Sequence, residues 1–332
     1  MTGFLGERPR HDLVGLDFGA SGLKAVRLTR AREKIQLVAA DILPPVPREG
    51  AGDRKRLGLP ASLLTSYAAV CIGGARPAIR LLDLPVAAGV TAEEQIQQQF
   101  NLAGDFRLGH FPVTPPGMKG TLRTVAVALP EEEAQAALQR LAVGSPAPWS
   151  LELSTLAALG AFQAGPGGGT SEDAIGLVDT GVSASHVYIL HQGRPVLIRR
   201  IEPGGAAVIE RIREQFDVDE AMAADVLQTG AIDLSAIYRD TLATFFKQLT
   251  ISREFAERHE RCRMIRWYLT GGLCVNAFWS QTIAEVSGLP ATVWNPMDGL
   301  AVAPHAIPER LRGQECRLAA AIGAALGGIQ AP

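Results

Sequence analysis

Two aspartates at matching places in the chain are the residues best suited to chemistry. Asp17 closes an apolar run that begins at Leu13. A turn of small residues follows, Gly19-Ala20-Ser21-Gly22, and Lys24 stands in the extended run beyond it. A turn without large side chains lets backbone N–H groups approach a phosphate closely. Asp17 would hold a magnesium ion, directly or through water, and Lys24 would add a point charge to the phosphates. Taken alone, such a hairpin is an ordinary turn in which the aspartate bonds local backbone. A second copy changes that reading. Asp179, Gly181 and Ser183, in Asp179-Thr180-Gly181-Val182-Ser183, match Asp17, Gly19 and Ser21 at one constant offset of 162 residues. His186 falls at the equivalent of Lys24 and reads as a strand residue turned outward.

The elements that must position these residues are strands. Each copy has an apolar strand before the aspartate and an extended strand after the turn. Each runs on into a further strand, Lys34–Ile42 in the first and Pro195–Ile201 in the second. Gly204-Gly205 then opens a helix with Val208, Ile209, Ile212 and Phe216 on one face. Late in the chain, Trp267 to Gly272 is a short apolar strand running into Gly271-Gly272, where backbone would pass close to a base or ribose. Between the two copies lies a strand–helix–strand–helix module. It reads as a strand over 78–84, a helix from Thr91, a strand over 121–129 and a helix opened by Pro130. Thr91 and Glu94 have capping-box spacing, and Glu131, Glu132 and Glu133 stand at a positive helix end. Leu151-Glu152-Leu153 leads into a helix reaching Phe162. The pattern predicts one long helix over 235–260, bearing Arg253 and Arg258, and a final helix over 315–326. Residues 1–11 read as a loose tail, 44–58 as a loop and the glycine-rich 165–170 as a linker.

In order and spacing these motifs resemble the phosphate-1, phosphate-2 and adenosine motifs of the actin-like ATPase superfamily, and within it the PilM family of type IV pilus assembly proteins, whose near relative is FtsA. Arg80-Leu81-Leu82-Asp83-Leu84-Pro85, Gly193–Gly205 and Gly288-Leu289-Pro290 support the resemblance, which spans about residues 12–328. It implies an α/β, actin-like (ribonuclease H-like) fold of duplicated domains. Domain 1A would take 12–75 and 146–165, an inserted 1C-like subdomain 76–145, and the second domain 174–328. It implies ATP and Mg2+ in an interdomain cleft, with Asp17 and Asp179 as metal and catalytic residues. Gly19, Ala20, Ser21, Gly22, Lys24, Gly181, Val182, Ser183, Gly204, Gly205, Gly271 and Gly272 would contact nucleotide, with Ser252 and Arg253 on the adenine side. Glu152 stands where a residue orienting water would be needed, at most for slow hydrolysis; read bottom-up, it is equally a strand-end carboxylate on the surface. The implied partner is the cytoplasmic N-terminal peptide of a PilN-like inner-membrane protein, with other platform proteins or self-association beside it. One departure is Gln97–Phe106, where relatives carry an acidic and aromatic run.

Composition narrows the alternatives. The 332 residues allow two domains of ordinary size, and 47% are hydrophobic. A net charge of −2 carries no nucleic-acid footprint. Cys71, Cys262, Cys274 and Cys316 have no CxxC spacing, so a zinc site is not expected. No signal peptide and no apolar run of spanning length are found, so a cytoplasmic protein is expected, reaching the membrane through a partner. An FtsA-like division actin, a small-molecule kinase and a nucleotide-free GspL-like platform protein stay open. The ending Gly327-Gly328-Ile329-Gln330-Ala331-Pro332 cannot form a basic membrane helix. No carboxylate stands in a sugar-pocket context.

Overall fold

The structure is a computed structural model. It describes residues 10–330 apart from 33, 47–56, 74–76, 87–88, 102–103, 116–117, 142–143, 145 and 169–172. The expected tail over residues 1–9, most of the 44–58 loop and Gly169-Thr170 of the linker lie outside the described residues. The chain forms two units. One holds Met1–Ala161, Leu300–Pro308 and Ala320–Pro332; the other holds Phe162–Gly299 and Glu309–Ala319.

In the first unit β1 (Asp12–Gly19), β2 (Gly22–Ala31) and β3 (Lys34–Leu43) make the expected antiparallel meander. β4 (Tyr67–Ile72) runs parallel to β1. The inserted module follows, with β5 (Ala78–Pro85), α1 (Ala92–Phe100), β6 (Phe106–Pro112), β7 (Thr121–Pro130) and α2 (Glu131–Leu138). Its sheet has the order β5-β7-β6. The strand β6 was not expected: Gly109, His110 and Pro112 blur its alternation, and it pairs only with β7, the edge position where a proline is tolerated. The capping box is real. Thr91 Oγ1 accepts the Glu94 N–H at 3.2 Å, and Glu94 Oε2 accepts the Thr91 N–H at 2.8 Å. Ile96 and Phe100 of α1 then bury against Leu84, Ala126 and Ala128. Replacing Thr91 with Ala should cost the chain about 1 kcal/mol, read from the urea midpoint; an unchanged midpoint would show that the cap does not hold α1. β8 (Ala147–Leu153) returns parallel to β4 and runs directly into α3 (Ser154–Ala164).

The second unit repeats the plan with β9 (Ala174–Thr180), β10 (Ser185–His191) and β11 (Arg194–Ile201), again antiparallel. α4 (Gly205–Phe216) and α5 (Glu220–Thr229) follow. The single helix expected over 235–260 is two, α6 (Ser235–Thr241) and α7 (Ala243–Glu260), broken at Leu242 with φ −106° and ψ 24°. The break lets Tyr238 from α6 and Phe245 from α7 both reach the buried Trp279 ring, at 5.3 and 5.7 Å between centroids. β12 (Met264–Gly271) runs parallel to β9, and α8 (Ala277–Ser287) and β13 (Ala291–Val293) complete the unit. Its sheet has the order β11-β10-β9-β12-β13.

The last segments do not all stay with the second half. β14 (Ala301–Val302) adds to β3, giving the first sheet the order β14-β3-β2-β1-β4-β8. The final helix opens as a 3-10 turn at Glu315–Leu318 and continues as α9 (Ala319–Gln330). From Ala320 onward α9 belongs to the first unit, whereas the resemblance put it in a second domain over 174–328. Small residues make this possible. A Cβ on Gly15 of β1 would collide with the Ala321 carbonyl, and one on Gly323 with the Ala157 carbonyl. Among the described residues, no helix is long and apolar enough to cross a membrane.

Candidate functional site

In the first unit the strand register assembles a row of side chains. Lys24 pairs with Asp17 across β2 and β1, Asp17 with Cys71 across β1 and β4, and Cys71 with Glu152 across β4 and β8. Cross-strand partners project from the same face. Asp17 and Lys24 are both buried, while Ala20 and Ser21 in the turn between them are exposed. Asp17 Oδ1 accepts the Ser154 hydroxyl at 2.6 Å, and Asp17 Oδ2 faces Lys24 Nζ at 3.8 Å. Lys24 Nζ also donates to Ser21 Oγ at 3.2 Å. Lys24 therefore reaches back over its own turn, and a Cβ at position 19 would displace its ammonium. Gly22, at φ +136°, lies where side chains are disfavoured. Ser154 escaped the sequence reading. Its only signal was position, as the first residue beyond β8.

Glu152 is not a surface carboxylate. Glu152 is half-buried, and α9 packs against it: a Cβ on Gly327 would lie 2.9 Å from Glu152 Oε1. Its Oε2 is buried without a hydrogen-bond partner. Burial pushes the carboxyl up to about 8, so it holds its proton at neutral pH. The neighbouring Cys71 thiol is raised well above its ordinary value by burial, then by Glu152 and Asp17, and donates to the Ala320 carbonyl of α9 at 3.6 Å. At the end of β8 it is the Ser154 hydroxyl that meets Asp17.

The second unit builds the matching row. Arg200 pairs with His186, His186 with Asp179, and Asp179 with Thr270. His186 is thus not turned away from the site: it is half-buried and stands beside Asp179 as Lys24 stands beside Asp17. Burial, and then the Arg200 guanidinium, lower its imidazole to about 4, so the ring is neutral at pH 7. Val182 and Ser183 are exposed in the turn. Gly204 and Gly205 hold that turn in place. Gly205 N–H donates to the Gly181 carbonyl and Ala206 N–H to the Val182 carbonyl, each at 2.9 Å. A Cβ on Gly204 would come within 2.5 Å of the Ala184 nitrogen. The Gly205 N–H is accordingly engaged by the turn. Gly271, at φ +94°, passes so close that a Cβ would sit 2.8 Å from Asp179 Oδ1; Gly272 has more room. Thr270 Oγ1 donates to the Cys316 carbonyl at 2.6 Å. Ser252 and Arg253 serve the fold. Ser252 accepts from Arg199 and donates to the Gln248 carbonyl, while Arg253 bonds Glu257 and the Ser287 carbonyl. Among the described residues, no group of three or more His, Cys, Asp or Glu side chains could by itself enclose a metal.

Two sheets of one plan, each with a meander, a parallel strand beyond it and an aspartate behind an open Gly/Ser turn, define an actin-like α/β protein. The chain superposes on a solved chain of the PilM–PilN type IV pilus biogenesis complex with a TM-score of 0.77, at 22% identity, over 97% of this chain and 100% of that one. It also resembles the ethanolamine utilization protein EutJ from Carboxydothermus hydrogenoformans (TM-score 0.49, 15% identity, 97% of this chain and 92% of that one). MreB 5 of Spiroplasma citri bound to AMPPNP is similar at a TM-score of 0.49 and 10% identity, over 96% of each chain. No curated protein matches the sequence. The family model for type IV pilus assembly protein PilM matches residues 158–329, more than half of the chain, and the chain belongs to that family.

Proposed function

We propose that this chain is a cytoplasmic scaffold of a type IV pilus, or related secretion, platform at the inner membrane, and that it binds Mg-ATP. The observation that carries the reading is the pair of equivalent rows, Lys24 beside Asp17 and His186 beside Asp179, each behind an exposed Gly/Ser turn. The donors fit the group: carboxylate oxygens suit magnesium, and backbone at Thr180 leaves no room for a side chain on Gly271 that would cover Asp179. Bound magnesium would neutralise phosphate charge. Asp17 and Asp179 would each offer a carboxylate to the ion. Gly19, Ala20, Ser21, Gly22 and Lys24 would offer phosphate contacts in the first unit, and Gly181, Val182, Ser183 and His186 would do so in the second. Gly271 and Gly272 lie along the adenosine, with Gly204 and Gly205 fixing the second turn. Glu152, protonated and packed under α9, leaves Ser154 beside Asp17, which is consistent with slow hydrolysis at most.

The partner in this reading is the cytoplasmic N-terminal peptide of a PilN-like inner-membrane protein; the likeness to a chain of a PilM–PilN complex supports it. It recruits a chain whose described residues offer no spanning helix. The inserted subdomain over 76–145 interrupts domain 1A (12–75 and 146–165) and contributes to the peptide groove, where Gln97–Phe106 adapts it to its own peptide. Calorimetric titration of Mg-ATP tests the nucleotide part. The native chain should bind, and Asp17→Ala should weaken binding by at least about tenfold, the size of one charge-assisted contact. No heat from the native chain would withdraw the nucleotide and leave a GspL-like platform protein. Capture of a PilN-like peptide on the immobilised chain tests the partner separately.

A further inference from the structure

At the far end of β1 from Asp17, the first unit gathers positive charge in a chain whose net charge is −2. There the start of β1 lies beside the end of β2 and the start of β3. The Arg30 N–H donates to the His11 carbonyl, and Ala31 pairs with Lys34. Arg10, Arg30, Arg32 and Lys34 therefore share one end of the sheet. Arg32 and Lys34 are exposed, and Arg10 and Arg30 are half-buried. Asp12 is taken up by Arg27, which donates to both its carboxylate oxygens at 2.8 Å. Glu7, Arg8 and Glu33 lie outside the described residues. Counted in full, they leave five positive charges against two.

Arg10 is held by rings rather than by an acid. Its guanidinium lies 3.9 Å from the Tyr67 ring centre and 4.0 Å from that of Trp149. These rings come from the starts of β4 and β8 and stand edge to face at 5.7 Å. The last carbonyls of α9 do not use this side chain: Gly328 accepts the Arg10 main-chain N–H, and Ile329 accepts Arg30 Nη1. Arg10 Nε is buried without a hydrogen-bond partner, and among the described residues no carboxylate pairs with the guanidinium. Stacking thus fixes the plane of the guanidinium and leaves its fork to an acceptor from outside. A fixed arginine fork suits a phosphate. Flanking basic side chains suit a surface that carries many phosphates, and Trp and Tyr rings favour the boundary between water and lipid.

We propose that this end of the first sheet docks on an anionic phospholipid surface. A lipid phosphate meets Arg10, and Arg30, Arg32 and Lys34 stand over neighbouring headgroups. Arg32 and Lys34 flank an exposed hairpin tip, which projects toward a flat charged surface instead of enclosing a peptide. The contact needs no spanning helix, and it adds to whatever a membrane-bound partner supplies. Asp17 lies five residues further along β1, about 17 Å away, so lipid and nucleotide would bind independently.

Flotation of the full chain with vesicles tests this. The native chain should float with vesicles containing phosphatidylglycerol and stay behind with phosphatidylcholine alone, and salt should release it. Arg32→Glu with Lys34→Glu should lower partitioning at least about tenfold, since each basic residue near an anionic surface is worth about fivefold. Both are surface changes, and an unaltered melting temperature confirms folding. Arg10→Lys keeps the charge, loses the planar fork and should bind less tightly than the native chain. Trp149 gives a local readout. Trp267, Trp279 and Trp294 are buried, so brominated phosphatidylglycerol should quench the emission of Trp149 first. A native chain that ignores phosphatidylglycerol vesicles overturns the proposal, as does binding that the double variant leaves intact or that leaves Trp149 unquenched. Release by inorganic phosphate at matched ionic strength would assign Arg10 to free phosphate and overturn it too. Capture of a Glu/Asp-rich peptide at this surface, without vesicle binding, would do the same. The assay holds neither nucleotide nor partner peptide, so its outcome is separate from theirs.

Discussion

Replacing Glu152 with Gln should flatten the pH dependence of stability between about pH 4.5 and 8 and stabilise the chain in alkali. The carboxyl is raised from 4.5 to about 8 by burial beneath α9. The folded state therefore binds a proton that the unfolded chain releases near pH 4.5. Its contribution to stability is fully present below pH 4.5, is lost as the pH rises through 8, and is constant beyond. The full swing is on the order of 3 to 5 kcal/mol, an upper range for a group that relaxation and water can reach. Gln keeps the shape and cannot ionise. Its urea midpoint should hold steady from pH 5 to pH 9 while the native midpoint falls. Parallel slopes for the two chains would mean that Glu152 is not the titrating group.

Gly15→Val should be as damaging as any single change in the first unit. Gly15 sits in the middle of β1, and its missing side chain is filled by the backbone of α9 at Ala321. A branched side chain there pushes the helix off the sheet and uncovers Leu13 and Ile322, both fully buried. Overpacking against backbone, which cannot swing aside, should cost about 3 kcal/mol or more. Gly58→Ala is the control, since nothing lies within 4 Å of its added Cβ. Urea unfolding followed at Trp149, which packs beside Gly328 of α9, would report the difference. Equal midpoints for both variants would show that α9 does not depend on this contact.

Much of this architecture is legible in the sequence where local pattern and fold agree. The duplicated hairpins, the capping box at Thr91 and the strand running into Gly271 each follow from residue types at fixed spacing. The candidate aspartates, Asp17 and Asp179, stand out for the same reason. Other features depend on tertiary pairing, which local pattern does not encode. β6 is held only by β7, and Leu242 breaks a helix so that two aromatic rings can reach one tryptophan. His186 was read outward because one strand alternates without saying which side faces the site; only its pairing with Asp179 decides. Ser154 and the packing of Glu152 depend on elements far apart in sequence, β1 for the one and α9 for the other.

The return of α9 to β1 also orders events in time. Residues from Ala320 onward complete a unit whose first strand begins at Asp12. A chain growing on the ribosome must expose the first sheet with its Gly15 groove open until α9 has emerged. The second unit is assembled almost entirely from a continuous stretch, Phe162–Gly299, and is closed by Glu309–Ala319. The half made first is thus finished last, and any nascent chain stalled before residue 320 presents an apolar slot for chaperones or for a stray copy of the same helix.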